Sequence, residues 1–196
     1  EVLQRDISDI PDIRVVGPIW FSTGYERFEL PPRSVAVFDS EPHRLLLHFP
    51  QSTLGDYLAA YPDLHVQFLR DIKRVLKEAQ LKMVLKRKRE VGTRTRKLYL
   101  KGFLDVIKSG EVVVVPSSLS VDAVVKQCLG AISMPFTSTA LILREHGLPS
   151  AYYDATGWIN ADDRAAHGIP VLVGIDALRE WVAIHWSDFQ TDEGRN

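Results

Sequence analysis

The stretch that decides the architecture is Ala131–Gly157, "AISMPFTSTALILREHGLPSAYYDATG". A short apolar run ends at Pro135, three hydroxyl residues follow, and an apolar helical pattern continues until Gly147. A second apolar run then begins at Pro149. A short strand, a helix and another short strand at this spacing form a βαβ unit, in which the two strands lie parallel.

The same alternation extends along most of the chain. We predict strands at 35–39, 81–86, 111–116, 131–134, 149–154 and 170–174, and helices at 62–80, 94–110, 118–130, 138–146 and 175–186. The continuous apolar runs are typical of strands that are buried on both faces of a sheet. The predicted fold class is therefore α/β, a Rossmann-like doubly wound, mostly parallel sheet with helices on both faces.

The first part of the chain reads differently from the rest. Residues 13–19, "IRVVGPI", predict a short strand, and the segment up to Ser34 is mixed and proline-rich. We therefore expect residues 1–34 to be the end of an N-terminal domain with a linker, and residues 35–196 to be the Rossmann-like domain. Because the chain begins at Glu1 without a methionine, we expect an N-terminal domain to be missing.

Composition excludes several classes of protein. The formal net charge of -1 gives no global electrostatic case for nucleic acid or anionic lipid. Cys128 is the single cysteine, which excludes an intramolecular disulfide, fits a reducing compartment and predicts a packing role. The sequence shows no signal peptide and no apolar stretch near the ~20 residues that span a bilayer. The expected location is the cytoplasm.

The predicted fold nominates where a ligand would bind. In an open parallel sheet, ligands bind outside the carboxyl ends of the strands. The segments that follow the predicted strands are 39–43, 86–89, 116–120, 135–139 and 154–158.

The segment after the fourth of these strands predicts an anion site. The strand ends at Met134, and the segment that follows it, Pro135, Phe136, Thr137, Ser138 and Thr139, leads into an apolar helix and is predicted to bind a nucleotide or phosphate. A helix start leaves backbone N–H groups without partners and carries partial positive charge, so hydroxyls beside it favour a phosphate or carboxylate. The alternative is that one hydroxyl simply caps the helix.

A basic run, "KRKR" at 86–89, follows another predicted strand. Lys86, with Lys88 or Arg89, is predicted to face the same crevice and to bind phosphate, together with Pro116 and Ser117 after the next strand. The alternatives are a solvated basic loop or a nucleic-acid contact; the second is disfavoured because the run is local and lacks interleaved aromatic residues.

Catalytic carboxylates are predicted at Asp39 and Glu41, because group transfer needs a base. Tyr153, Asp154 and His167 are further candidates for ligand contact, although Asp39 and Asp154 also fit a role as loop caps. The histidines lack metal-ligand spacing, so no metal site is predicted. No G-x-G-x-x-G, P-loop or G-x-S-x-G motif is present, which disfavours dinucleotide, NTPase and hydrolase functions.

Several segments together resemble a known family. "SMPFTSTALI", "REHGLPSAYYDATG", the upstream "KRKRE" and the downstream "AAHGIPVL" are similar to the bacterial polysaccharide-biosynthesis proteins named for their PFTS motif, here Pro135–Ser138. More distantly, the layout is similar to the C-terminal, donor-binding half of GT-B glycosyltransferases that use CMP-activated sialate or 3-deoxy-octulosonate.

The resemblance implies a glycosyltransferase of bacterial capsule or lipopolysaccharide synthesis. The donor would be a nucleotide-sugar, with a CMP-activated acidic sugar favoured, and the acceptor a glycan or glycolipid at the inner face of the inner membrane. No cofactor, nucleic acid or transmembrane segment is implied. The similar transferases place a His-Pro pair after the second strand, where this chain has "KRKR". The resemblance therefore leaves the identity of the donor open.

Two other functions share the same anion site. One is a non-catalytic module that binds a sugar-nucleotide or glycan within an assembly complex. The other is a GT-B-like epimerase of UDP-sugars, which would need acidic or histidine side chains in the cleft.

Overall fold

The computed structural model describes residues 28–39, 62–87, 92, 95–108 and 110–186. These residues form six strands, β1 (Ser34–Phe38), β2 (Lys82–Lys86), β3 (Val112–Val115), β4 (Ala131–Ser133), β5 (Ser150–Asp154) and β6 (Val171–Val173). The helices among them are α1 (Pro62–Glu78), α2 (Lys97–Ile107), α3 (Val121–Val125), α4 (Ser138–Glu145) and α5 (Gly174–Trp186), with a 3₁₀ turn at Arg164–Ala166.

All six strands lie in one parallel sheet with the order β3-β2-β1-β4-β5-β6. The chain winds outward from β1 to β3, crosses back over the sheet, and winds outward again from β4 to β6. The strand order therefore reverses between β1 and β4, which pair through Ala36–Phe38 and Ala131–Ser133. In doubly wound folds this switch point opens the crevice that binds ligands.

Helices cover both faces of the sheet and bury most of the strand residues. All five residues of β1 are buried. One core packs α1, α2 and α5 against one face of the sheet, and a second core packs α3 and Leu143 of α4 against the other. Neighbouring residues of β5 show the alternation, since Tyr153 belongs to the first core and Tyr152 packs with Ala140 of α4. The predicted Rossmann-like fold class is confirmed.

The predicted strands match the observed ones to within one residue at each end; the helices are less well matched, and the one predicted at 118–130 is observed only at Val121–Val125. Ser120 caps the helix after β3, because its side chain accepts from the N–H of Ala123. Cys128 is buried as predicted, and burial raises its pKa to about 12. The strand predicted at 13–19 lies outside the described residues. No helix in the described part of the chain is long and apolar enough to cross a membrane.

Gly130 lets the chain enter β4 beside the start of β5. A Cβ at this position would collide with the carbonyl oxygen of Pro149 and stand 2.8 Å from Cζ2 of Trp186. The backbone cannot move away easily, because the Gly130 carbonyl accepts from the N–H of Ala36 at 3.0 Å and Pro149 accepts from Ala131 at 2.9 Å.

We therefore expect Gly130→Ala to lower the free energy of unfolding by about 2–3 kcal/mol, the scale of an overpacked core. Thermal unfolding should show a Tm roughly 5–10 °C lower for a domain of this size. Gly110→Asn is the control, because a Cβ there meets no atom within 4 Å and asparagine tolerates the positive φ of 69°. An unchanged Tm for Gly130→Ala would contradict the packing described at this site.

Candidate functional site

The structure brings most of the predicted binding residues to one edge of the sheet. Asp39 follows β1, Lys86 ends β2, Pro116 and Ser117 follow β3, and Pro135–Thr139 follow β4. Because the strands are parallel, these positions lie side by side at the carboxyl edge. β1 and β4 are neighbours, so the segment after β4 lies at the switch point itself.

Two of the three hydroxyls after β4 are used inside the turn. The Thr137 hydroxyl donates to the carbonyl of Met134 at 2.9 Å, so its only proton is committed. Thr139 must therefore be the donor in its 3.0 Å contact with Thr137, and Ser133 the donor in its 3.1 Å contact with Thr139. This one-directional relay fixes the turn. The Thr137 and Thr139 protons are thus used within the turn in this conformation, and anion binding by the three hydroxyls stays a prediction.

The start of α4 is left open by this arrangement. Thr137 is the N-cap residue, but its side chain makes no capping hydrogen bond, whereas the corresponding Ser120 caps α3. Within the described ranges, no acceptor is found for the N–H groups of Ser138 and Thr139, nor for the exposed hydroxyl of Ser138. The helix therefore presents amide donors and one hydroxyl, together with its partial positive charge, at the switch point.

Phe136 has an unusual backbone for its residue type. Its φ is 62°, in the left-handed region that disfavours side chains with a Cβ, and its side chain is 42% exposed. The ring contacts that of Tyr152, with centroids 5.9 Å apart. The Tyr152 hydroxyl in turn donates to the carbonyl of Thr137 at 2.9 Å, which ties the turn to β5.

Lys86 is buried at the tip of β2, where it joins two loops. Its ammonium donates to the carbonyls of Arg87 at 2.8 Å and Ser117 at 2.9 Å. The contact with Ser117 is made by its carbonyl, and Pro116 is exposed beside it. Because Lys86 is buried, salt screens its positive charge less than it screens the charge of a surface lysine. Lys86 also holds the tips of β2 and β3 together.

Asp39 belongs to a buried cluster that the sequence did not reveal. The Tyr99 hydroxyl donates to Oδ2 of Asp39, and Nε of Arg87 lies 3.7 Å from the same oxygen. The Arg87 guanidinium lies 4.7 Å from the ring centre of Phe103 and 5.5 Å from that of Tyr99. These contacts favour an anchoring role for Asp39, and its catalytic role stays a prediction. Arg87 lies within the basic run at 86–89. Its position directly after a buried strand is the sequence feature from which its place in this cluster could have been predicted.

Three other candidates make contacts of their own within the chain. Asp154 accepts from the N–H and hydroxyl of Thr156 at 2.8 and 2.6 Å and from the N–H of Ile159 at 2.9 Å, which corresponds to the loop-cap alternative. Tyr153 points into the α1 side of the core, where its hydroxyl donates to Asp71 at 2.8 Å; burial and this carboxylate raise its pKa. In this conformation Tyr153 is directed into the core, and its contact with a ligand stays a prediction.

His167 lies near the far end of α4 from the candidate site. Its carbonyl accepts from the side chain of Arg144 in the last turn of that helix. The structure therefore does not bring His167 to the strand tips, and its contact with a ligand stays a prediction. Glu41, Lys88 and Arg89 lie outside the described residues.

Comparison with known proteins adds a family to this geometry. Searches of curated proteins and of solved structures gave no match. The family model described as "Polysaccharide biosynthesis PFTS motif protein" matches residues 1–182, which is most of the chain. The turn at the switch point carries the letters of that motif, Pro135-Phe136-Thr137-Ser138. The chain therefore belongs to the family of polysaccharide biosynthesis PFTS motif proteins.

Proposed function

We propose that this protein is the donor-binding part of a glycosyltransferase, which binds the phosphate of a nucleotide-sugar at the start of α4. A CMP-activated acidic sugar is the favoured donor, and a surface glycan or glycolipid is the acceptor. Both the resemblance to GT-B transferases and the membership in a polysaccharide-biosynthesis family support a sugar-nucleotide as the ligand.

The observation that carries the proposal is the uncapped start of α4 at the switch point. The relay through Thr137 turns the capping hydroxyl away from the helix, which leaves the amides of Ser138 and Thr139 available. Such amides are suited to an anion, because their donors and the helix dipole act together. The carboxyl edge between β1 and β4 is also where a doubly wound sheet binds nucleotides.

Charge at the neighbouring strand tips supports an anionic ligand. Among the described residues, Lys86 and Arg87 bring positive charge to the β2 tip, where Asp39 carries a negative charge. β2 and β4 flank β1, so the strand tip that carries these cations lies about 10 Å from the β4 tip at the spacing of adjacent strands. At that distance they attract a phosphate without direct contact.

The chemistry of transfer fits a site of this kind. The bond between the anomeric carbon and the phosphate oxygen breaks, and its electron pair leaves with the nucleoside phosphate. The oxygen of an acceptor hydroxyl bonds to the anomeric carbon and gives up its proton to a carboxylate, for which Asp39 and Glu41 are the predicted candidates. Fixed amide donors stabilise the charge that develops on the leaving phosphate more than they stabilise the intact donor.

A thermal-shift panel tests the proposal. We expect CMP to raise the Tm of the protein more than CDP, UMP, UDP, GDP or ADP does, because a ligand that binds the native state stabilises it. Preference for UDP would instead favour a UDP-sugar enzyme such as the epimerase. If no nucleotide raises the Tm, the proposal is wrong.

Turnover separates the remaining alternative. A transferase releases free nucleotide from CMP-sialate or CMP-3-deoxy-octulosonate when acceptor glycolipid is present. A binding module raises its Tm with the same donors but releases no nucleotide under any condition, and that result would contradict the catalytic part of the proposal.

A further inference from the structure

We propose that the ring of Phe136 is a stacking platform for the base of the bound nucleotide. This inference rests on the proposed function, because it adds a base subsite to the phosphate site at the start of α4. It predicts that the protein distinguishes a nucleotide from a sugar phosphate chiefly through this one side chain.

The conformation of Phe136 costs free energy. A left-handed backbone with a Cβ is disfavoured, and an apolar ring gains nothing from solvent, yet Phe136 combines a φ of 62° with 42% exposure. Packing against Tyr152 and the rest of the described chain covers only part of Phe136, so it does not fully account for this combination. A ligand that covers the ring would.

The ring of Phe136 is already held in place before any ligand binds. One side of it contacts the buried ring of Tyr152, whose hydroxyl is bonded to the carbonyl of Thr137. Little ordering of the side chain is then required on binding. A held aromatic ring with an exposed surface is suited to stacking, and stacking tolerates any base because every base has a π-face.

The ring of Phe136 lies next to the proposed phosphate site in the chain. Phe136 lies two residues before Ser138, whose amide begins the open helix end. In a nucleoside phosphate the base is one pentose away from the phosphate, so a base and a phosphate can occupy the two positions together. The platform carries no hydrogen-bonding group and therefore recognises the presence of a base, whereas the identity of the base depends on other residues.

The test compares ribose 5-phosphate with CMP, UMP, GMP and AMP by isothermal titration calorimetry. The variant Phe136→Gly removes the ring and also relieves the left-handed backbone, so the protein should remain folded, with a Tm within a few degrees of wild type. Phe136→Trp keeps an aromatic face. Ile184→Ala is the matched control, because Ile184 is 69% exposed near the end of α5, away from the strand tips.

We expect wild type to bind its best nucleotide at least about 5-fold more tightly than ribose 5-phosphate, the scale of one stacked base. In Phe136→Gly this difference should vanish while ribose 5-phosphate binds as before; Phe136→Trp should retain the difference, and Ile184→Ala should match wild type. The inference alone is overturned if Phe136→Gly still prefers the nucleotide, or if it loses both ligands equally. If wild type binds no nucleotide at all, both the inference and the proposed function are overturned.

Discussion

Replacing Ser138 with proline is expected to weaken nucleotide binding by roughly 10- to 100-fold while the fold remains intact. Ser138 is the first residue of α4, a position where proline is favoured because its missing N–H has no helical partner. The preceding Thr137 has φ -84° and ψ 142°, which is the extended conformation that a following proline requires. The substitution therefore removes the amide donor and the hydroxyl with little other change, and a hydrogen bond to a charged group is worth about 1.5–3 kcal/mol.

Ser138→Ala is the matched control, since it removes the hydroxyl and keeps the amide. We expect its affinity for the nucleotide, measured by calorimetry, to lie between those of wild type and Ser138→Pro. Equal affinity of wild type and a folded Ser138→Pro would show that the start of α4 does not bind the phosphate. Circular dichroism and Tm establish that both variants are folded.

Replacing Lys86 with methionine is expected to have the second largest effect, on binding and stability together. A unit charge about 10 Å from the phosphate contributes about 1.5 kcal/mol at an effective dielectric constant near 20, so affinity should fall roughly tenfold. The carbonyls of Arg87 and Ser117 also lose their donor, which should lower the free energy of unfolding by about 2 kcal/mol. Binding is measured by calorimetry at low and high salt.

Lys82→Met is the control for the charge, because Lys82 is exposed at the opposite end of the same strand. It should leave both the affinity and the Tm close to wild type. If Lys86→Met loses affinity but its free energy of unfolding stays at the wild-type value, the electrostatic role of Lys86 stands and its role in holding the β2 and β3 tips together is wrong. If affinity is unchanged in Lys86→Met, the tip of β2 takes no part in binding.

The fold was predictable because the strands are short and most of their residues are buried. "VVVV" in β3 and "SVAVF" in β1 read as continuous apolar runs, and the helical periodicity between them left little choice of topology class. The ends of elements were less predictable. The helix predicted at 118–130 is reduced to Val121–Val125, although Ser120 and its cap were visible in the sequence.

The candidate site was predictable as a place but not as a set of contacts. The rule for parallel sheets led to the segments after β2 and β4, since it needs only the order of the elements. The sequence did not show that Thr137 donates backward to Met134, because hydroxyl direction depends on the turn that Phe136 makes with a positive φ. Nor did it show the partnership of Asp39 and Tyr99, which lie 60 residues apart.

The backbone amide resonances of Ser138 and Thr139 during a titration with CMP test the central claim most directly. An N–H group that gains an anionic acceptor shifts strongly downfield, and in the described residues these amides have no acceptor before binding. We predict that Ser138 and Thr139 show large downfield shifts that saturate with the calorimetric affinity, while the capped Ala123 amide of α3 shows none. Saturable CMP binding that leaves both resonances in place would contradict the account, because the phosphate would then bind elsewhere.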